Sequence, residues 1–186
     1  MKVTKAQAQA NRAHIVATAS TLFRERGYDG VSVADLMAAA GFTHGGFYKH
    51  FRSKADLMSE AAACGFAQMD AKSSNAERAA LVRSYLSREH RDAPGDGCTL
   101  AALSADAARQ APEVKQVFAQ GIEQLLAKAA HGVGDGSEKE QQAERATRIN
   151  ELARLVGALL MSRACPDDSA LADEILESCC AALLRA

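Results

Sequence analysis

Between Gly41 and Phe51 the chain reads GFTHGGFYKHF, a stretch with two histidines, a tyrosine, a threonine and a lysine but no acid. Side chains of this kind donate hydrogen bonds and carry positive charge, which suits them to base edges and phosphate. His44 can donate to a base edge, the backbone N–H groups of a helix start can meet phosphate, and Tyr48, Lys49 and His50 supply phosphate and groove-wall contacts. Phe47 and Phe51 are four residues apart and read as core, packing against Ile15, Leu22, Leu36 and Leu57 while their neighbours face outward. Gly45 and Gly46 each weaken a helix by about 1 kcal/mol relative to alanine. That loss makes sense where a helix start must approach a duplex closely. His50 also suits the C-terminal end of its own helix, where the dipole favours a cation, so both readings stand.

These groups need elements to position them. The spacing predicts a first helix over about 6–26 with Ile15, Ala19, Leu22 and Phe23 on its buried face, stopped by Gly27. Ser32 and Asp35 spell a capping box for a short second helix, with Val31 and Leu36 as a hydrophobic staple, and Gly41 ends it. Thr43 is placed to cap a third short helix through His50. Ser53 and Asp56 form another capping box for a fourth that runs from Lys54 into the low seventies. Lys54 lies in an N-terminal turn, where the helix dipole disfavours a cation unless a phosphate is near. Two short helices joined by a glycine turn, the second with polar residues outward, are the sequence pattern of a helix-turn-helix.

The rest of the composition frames this segment. A chain of 186 residues with 48% hydrophobic residues can bury a sizeable core. The formal charge of −1 hides an asymmetry: residues 1–54 carry eight Lys or Arg against three acids, a net of +5, which leaves −6 for the remainder. A basic first segment points to a polyanionic partner. Lys2, Lys5 and Arg12 read as a solvated tail or, alternatively, as an arm on DNA. No apolar run has the length of a membrane span or of a leader, so the reading is cytoplasmic with no membrane partner. Five cysteines, at 64, 98, 165, 179 and 180, lack metal-site spacing and fit free thiols in a reducing compartment. No cofactor, metal or catalytic set is expected, since there is no nucleophile elbow, His/Cys cluster or phosphate loop after a strand.

Phe23, Gly27, Tyr28 and the run SVADLMAAAGFTHGGFYKHFRSKADL resemble the DNA-binding domain of the TetR family of bacterial transcriptional repressors, over about residues 12–60. The resemblance implies that Thr43 caps or touches phosphate, that His44, Gly45, Gly46 and Lys49 lie along the bases, and that Tyr48, His50 and Lys54 hold the backbone. Ser32 is placed with this DNA-binding set. Lys49 stands where the family often has an aromatic or a histidine. The implied whole is all-α: a three-helix head over 1–54, then a ligand-binding and dimerisation domain over 55–186, about nine helices in all. Two copies would set their reading helices about 34–36 Å apart on a palindromic double-stranded operator.

Beyond residue 60 the pattern predicts helices over about 76–90, 96–109, from Pro112 to near His131, 138–163 and 169–184. The segment HGVGDGSEK reads as a linker rather than a nucleotide loop. Stripes at Leu152, Leu155, Val156 and Leu159 and at Leu171, Ile175, Cys179 and Leu183 fit a homodimer made through the last two helices, with Gly157 and Ala158 allowing close approach. Candidate lining for a small-molecule effector pocket is Phe66, Met69, Tyr85, Leu103, Phe118 and Ile122, each of which also fits ordinary core. Cys98 is expected at the second position of a helix capped by Asp96. It reads either as a small packed residue or as a thiol sensor like those in family members that detect electrophiles or oxidants. The function expected is a repressor released from its operator by a small-molecule or thiol-reactive effector. The rival is a helical interaction module that binds an acidic partner.

Overall fold

Several helix starts in this chain are set by short polar side chains, and the computed structural model, which describes residues 4–73, 77–128 and 137–185, shows these in place. Thr4 accepts from the Gln7 amide to open α1, Lys5–Arg26. Ser32 and Asp35 form the complete capping box of α2, Val33–Ala39, and the staple residues Val31 and Leu36 are buried. Ser53 accepts from the Asp56 amide at 3.1 Å while the Asp56 carboxylate reaches back to the Arg52 amide at 3.1 Å, which opens α3, Lys54–Ser73. Ser137 and Glu140 repeat the capping box at α8, Glu138–Ala164, which is followed by α9, Ala170–Arg185. Pro112 begins α7, Pro112–Lys128, where its missing N–H costs no bond.

Three expectations are corrected. The third helix is a 3-10 segment, His44–Lys49, and Thr43 holds its cap position without a side-chain capping bond. Two consecutive glycines and six residues are too little for a regular α-helix to propagate. The helix expected over 76–90 is broken into α4, Arg78–Tyr85, and α5, Arg88–Asp92. Ser87 lies in the break and accepts from the His90 amide, so its hydroxyl restarts the helix instead of continuing it. Asp96 belongs to a short 3-10 turn, Pro94–Asp96, and does not cap the next helix. That helix is α6, Thr99–Ala107, with Cys98 at its N-cap and no side-chain bond there. The expected end of α7 at His131 and most of the glycine-rich linker lie outside the described residues, as does Lys2.

The described residues hold nine α-helices, two 3-10 segments and no strand, grouped into two compact units. One comprises residues 1–69 with 94–119. Its core is Ile15, Phe23, Tyr28, Leu36, Phe47, Phe51 and Leu57, joined by Leu103 and Val114. The expected packing face of α1 holds except at Leu22, which is only half-buried.

The second unit comprises 70–93 with 120–186, and in it α8 packs on α9. The buried guanidinium of Arg91 donates to the carbonyls of Ser162 and Cys165 at 3.1 and 3.0 Å. Carbonyls left open at a helix end need such donors. Arg163 returns bonds to the carbonyls of Arg91 and His90 at 2.9 and 2.7 Å. No described helix is long and apolar enough to cross a membrane.

Candidate nucleic-acid interface

The reading segment 44–49 stands on an aromatic anchor. Phe47 is fully buried and Phe51 nearly so, with ring centroids 5.4 Å apart. On the opposite side Thr43, His44, Gly45, Tyr48 and Lys49 are exposed, Tyr48 to 70%. The Tyr48 ring stands edge-on to Phe47 at 5.2 Å and leaves most of its surface open. A Cβ built on Gly45 would meet nothing within 4 Å, and one on Gly46 would make ordinary contact with Met37 and Thr43. The glycines therefore relieve no internal crowding, and Gly45 leaves the outer surface without a side chain. Gly41, at φ +78°, makes the turn that sets the segment against α2.

The flanking residues are more committed than their types suggest. Ser32 accepts from the Asp35 amide at 3.1 Å and donates to its carboxylate at 2.6 Å, which holds the exposed Asp35 carboxyl below the usual range. Lys54 is half-buried and its ammonium donates to the Tyr28 carbonyl at 2.5 Å, which leaves two of its three protons for another acceptor. His50 is half-buried at the end of the segment, and its carbonyl accepts from Arg12 at 3.3 Å.

Arg12, expected in a tail or arm, is instead part of the head. It pairs with Glu60, which raises its pKa, and its guanidinium lies 4.7 Å over the Phe51 ring. Nothing in the local sequence around Arg12 signals this, because its partners lie 38 and 48 residues away.

The effector candidates fall apart along the two units. Phe66 and Phe118 meet edge-on at 5.5 Å in the first unit, where Leu103 is buried and Met69 is half-buried. Tyr85 and Ile122 lie in the second, Tyr85 with its ring 4.7 Å from that of His90. Cys98 is 1% exposed. Burial pushes the Cys64 thiol upward, against the field of Arg24.

Sequence reasoning missed Arg24. Its guanidinium is buried and donates to the Gly95 carbonyl, Ser20 Oγ and Gln68 Oε1, all neutral acceptors. Desolvation lowers its pKa, and Cys64, Asp96 and Cys98 partly restore it. A Cβ on Gly65 would stand 2.2 Å from Thr99 Oγ1 and 2.5 Å from Arg24 Nη1, so α3 passes this polar group only as glycine.

A short capped helix, a glycine turn and an outward-facing second segment on an aromatic anchor define a helix-turn-helix protein of all-α architecture. Residues 15–61 match the family described as bacterial regulatory proteins, tetR family. The transcriptional regulator AcrR of Shigella flexneri is 44% identical over 57 residues, which are 31% of this chain and 26% of that protein. The chain thus aligns with about a quarter of the length of that relative. Over nearly the full length the fold matches that of E. coli NemR in its reduced form, with TM-score 0.70, 19% identity and 95% and 96% of the two chains covered. It also matches a TetR-family regulator from Cytophaga hutchinsonii, with TM-score 0.72, 19% identity and 100% and 98% covered. Residues 15–61 thus carry a TetR-type helix-turn-helix at the N-terminal end, and over the rest of the chain the likeness is one of fold.

Proposed function

We propose that this protein is a sequence-specific DNA-binding transcriptional repressor, working as a homodimer on a palindromic operator and released by a small-molecule or thiol-reactive effector. The observation that carries this reading is the exposed face of His44, Gly45, Tyr48 and Lys49 on a segment whose other face is locked into the core by Phe47 and Phe51. Donors without nearby acids suit the acceptor edges of bases and the phosphates beside them. Residues 1–54 are the DNA-reading head in this proposal, and 55–186 serve effector binding and dimerisation. The family is one of regulatory proteins rather than enzymes.

Support for dimerisation comes from α8 and α9, where Ile149, Leu160, Met161 and Leu171 are exposed although large and apolar. Of the two stripes read from the sequence, Leu159 and Leu183 are buried, Leu152, Leu155, Val156, Ile175 and Cys179 are half-buried, and Leu171 is exposed. Gly157, beside Leu160 and Met161, has nothing within 4 Å of a built Cβ, so a second helix can approach there. Repression ends when an effector favours a conformation that the operator does not. α3 is the element to carry that change, since it starts at Lys54 beside the reading segment and extends to Phe66 and Met69.

Selection of duplexes from a randomised pool, with His44→Ala in parallel, tests the proposal. The expected result is a two-fold symmetric motif that relaxes at one symmetric pair of positions in the variant. Recovery of no motif, together with capture of an acidic protein surface by the same face, would replace the repressor with an interaction module.

A further inference from the structure

The last turn of α1 is gripped by residues far from it in sequence. Arg24 donates to the Gly95 carbonyl through Nε and Nη2 at 2.9 and 2.6 Å. Four residues further on, the Asp106 carboxylate accepts from the Tyr28 amide at 2.9 Å through Oδ2, and pairs through Oδ1 with Arg109 at 2.7 Å. A Cβ on Gly27 would stand 2.6 Å from Asp106 Oδ2, so the carboxylate occupies the space that glycine leaves. Gly27 has φ +73° and ψ 169°, a backbone region essentially confined to glycine. The Tyr28 carbonyl, at the other end of the same residue, accepts from Lys54 of α3. Tyr28 is therefore clamped at its N–H by α6 and at its C=O by α3.

Base recognition depends on how α2 and the reading segment sit on α1, which the aromatic core already fixes. The direction in which that head points is a separate matter. Besides α3, residues 94–107 hold the end of α1 at two points, Arg24 on the Gly95 carbonyl and Asp106 on the Tyr28 amide, and each such tie restrains the direction of the head.

We propose that Asp106 is a positioning residue of the DNA reader, which fixes the orientation of the head and so the half-site spacing that two copies accept, without touching DNA. This rests on the repressor reading, and its test separates the two. Purified full-length wild type, Asp106→Ala and Asp106→Asn are compared on duplexes that keep the selected half-sites but vary the spacer between them.

Wild type should prefer one spacer. Asp106→Ala should lower that preference by about tenfold, the scale of one charge-assisted hydrogen bond, with base preference inside each half-site unchanged. Asn retains an acceptor oxygen for the Tyr28 amide and should restore most of the preference. Asp106→Leu, similar in shape but without an acceptor, replaces the alanine variant if that one melts below the assay temperature. An unchanged spacer preference in Ala or Leu overturns the proposal, as does loss of spacer and base preference together or failure of Asn to rescue.

Hydrogen exchange followed by mass spectrometry gives a second readout independent of DNA. Asp106→Ala should speed exchange about tenfold from Gly27 through α2 while α8 and α9 stay as in wild type. Faster exchange at the Tyr28 amide alone would reduce Asp106 to a local cap and sink the positioning role. If wild type selects no operator yet this exchange pattern appears, the repressor reading fails and the joint stands.

Discussion

Replacing Gly65 by alanine should destabilise the protein, although alanine is the better helix former. In an open helix interior the change gains about 1 kcal/mol. Here the new methyl would lie 2.2 Å from Thr99 Oγ1, 2.5 Å from Arg24 Nη1 and 3.0 Å from Ser20 Oγ. Overpacking of this kind costs about 1–3 kcal/mol. Arg24 Nη1 must also leave Ser20 Oγ, now 2.7 Å away, and a hydrogen bond to a charged group is worth about 1.5–3 kcal/mol. Arg24 is only 5% exposed, so water does not readily replace that partner. Thr99 Oγ1 is buried without a hydrogen bond among the described residues, so moving it breaks none and limits the loss. The net is about 2–4 kcal/mol, or a fall in Tm of roughly 5–15 °C for a chain of this size. Thermal unfolding followed by circular dichroism at fixed protein concentration measures it. A Gly65→Ala protein as stable as wild type would refute the reasoning, because it would mean that Arg24, Ser20 and Thr99 yield without loss.

Other expectations are simpler to state. Tyr28→Phe should raise Tm by a few degrees, since the Tyr28 hydroxyl is buried without a hydrogen bond among the described residues and burial pushes its pKa well above the ordinary range; a lower Tm would show that the hydroxyl has a partner. Ser32→Ala should destabilise α2 by about 1 kcal/mol at neutral pH. The Asp35 pKa is depressed by Ser32, so its contribution is present above the unfolded value near about 3.9 and is lost as pH falls through the lower folded value. The gap between wild type and variant should therefore shrink below about pH 4, and a gap that widens in acid would contradict this. Lys54→Ala should weaken binding to every duplex and lower the salt slope by about one per subunit; an unchanged slope would leave Lys54 bonded to Tyr28 alone. Maleimide labelling of the native protein should reach the half-buried Cys165, Cys179 and Cys180 before Cys98, and a Cys98 that reacts no faster than an unfolded cysteine would end its candidacy as a sensor.

Much of the head was legible because its signals are local. A capping box joins residues three apart, as Ser32 and Asp35 do, and the buried pair Phe47 and Phe51 declares itself by helical spacing. Ser137 with Glu140 and Pro112 at the start of α7 follow the same short-range rules. The outward set at Thr43, His44, Gly45, Tyr48 and Lys49 could be read as the complement of that buried pair. Propensity alone did not decide between an α-helix and a 3-10 segment at 44–49, or foresee that Ser87 restarts a helix.

What only the tertiary structure decided is which side chains meet across long stretches of chain. Arg12 reaches Glu60, Arg24 reaches Gly95, and Asp106 reaches Tyr28 over 78 residues. No periodicity connects such partners, since each is brought to the other by the packing of whole helices. The same packing buries Cys98 at the start of α6 and turns Ile149, Leu160 and Met161 outward on α8. The sequence determined where helices begin and which face of the head meets the core, because those depend on neighbours within one or two turns. The fold decided which charges are buried and which large apolar residues stay exposed, because burial depends on the whole set of helices around a residue.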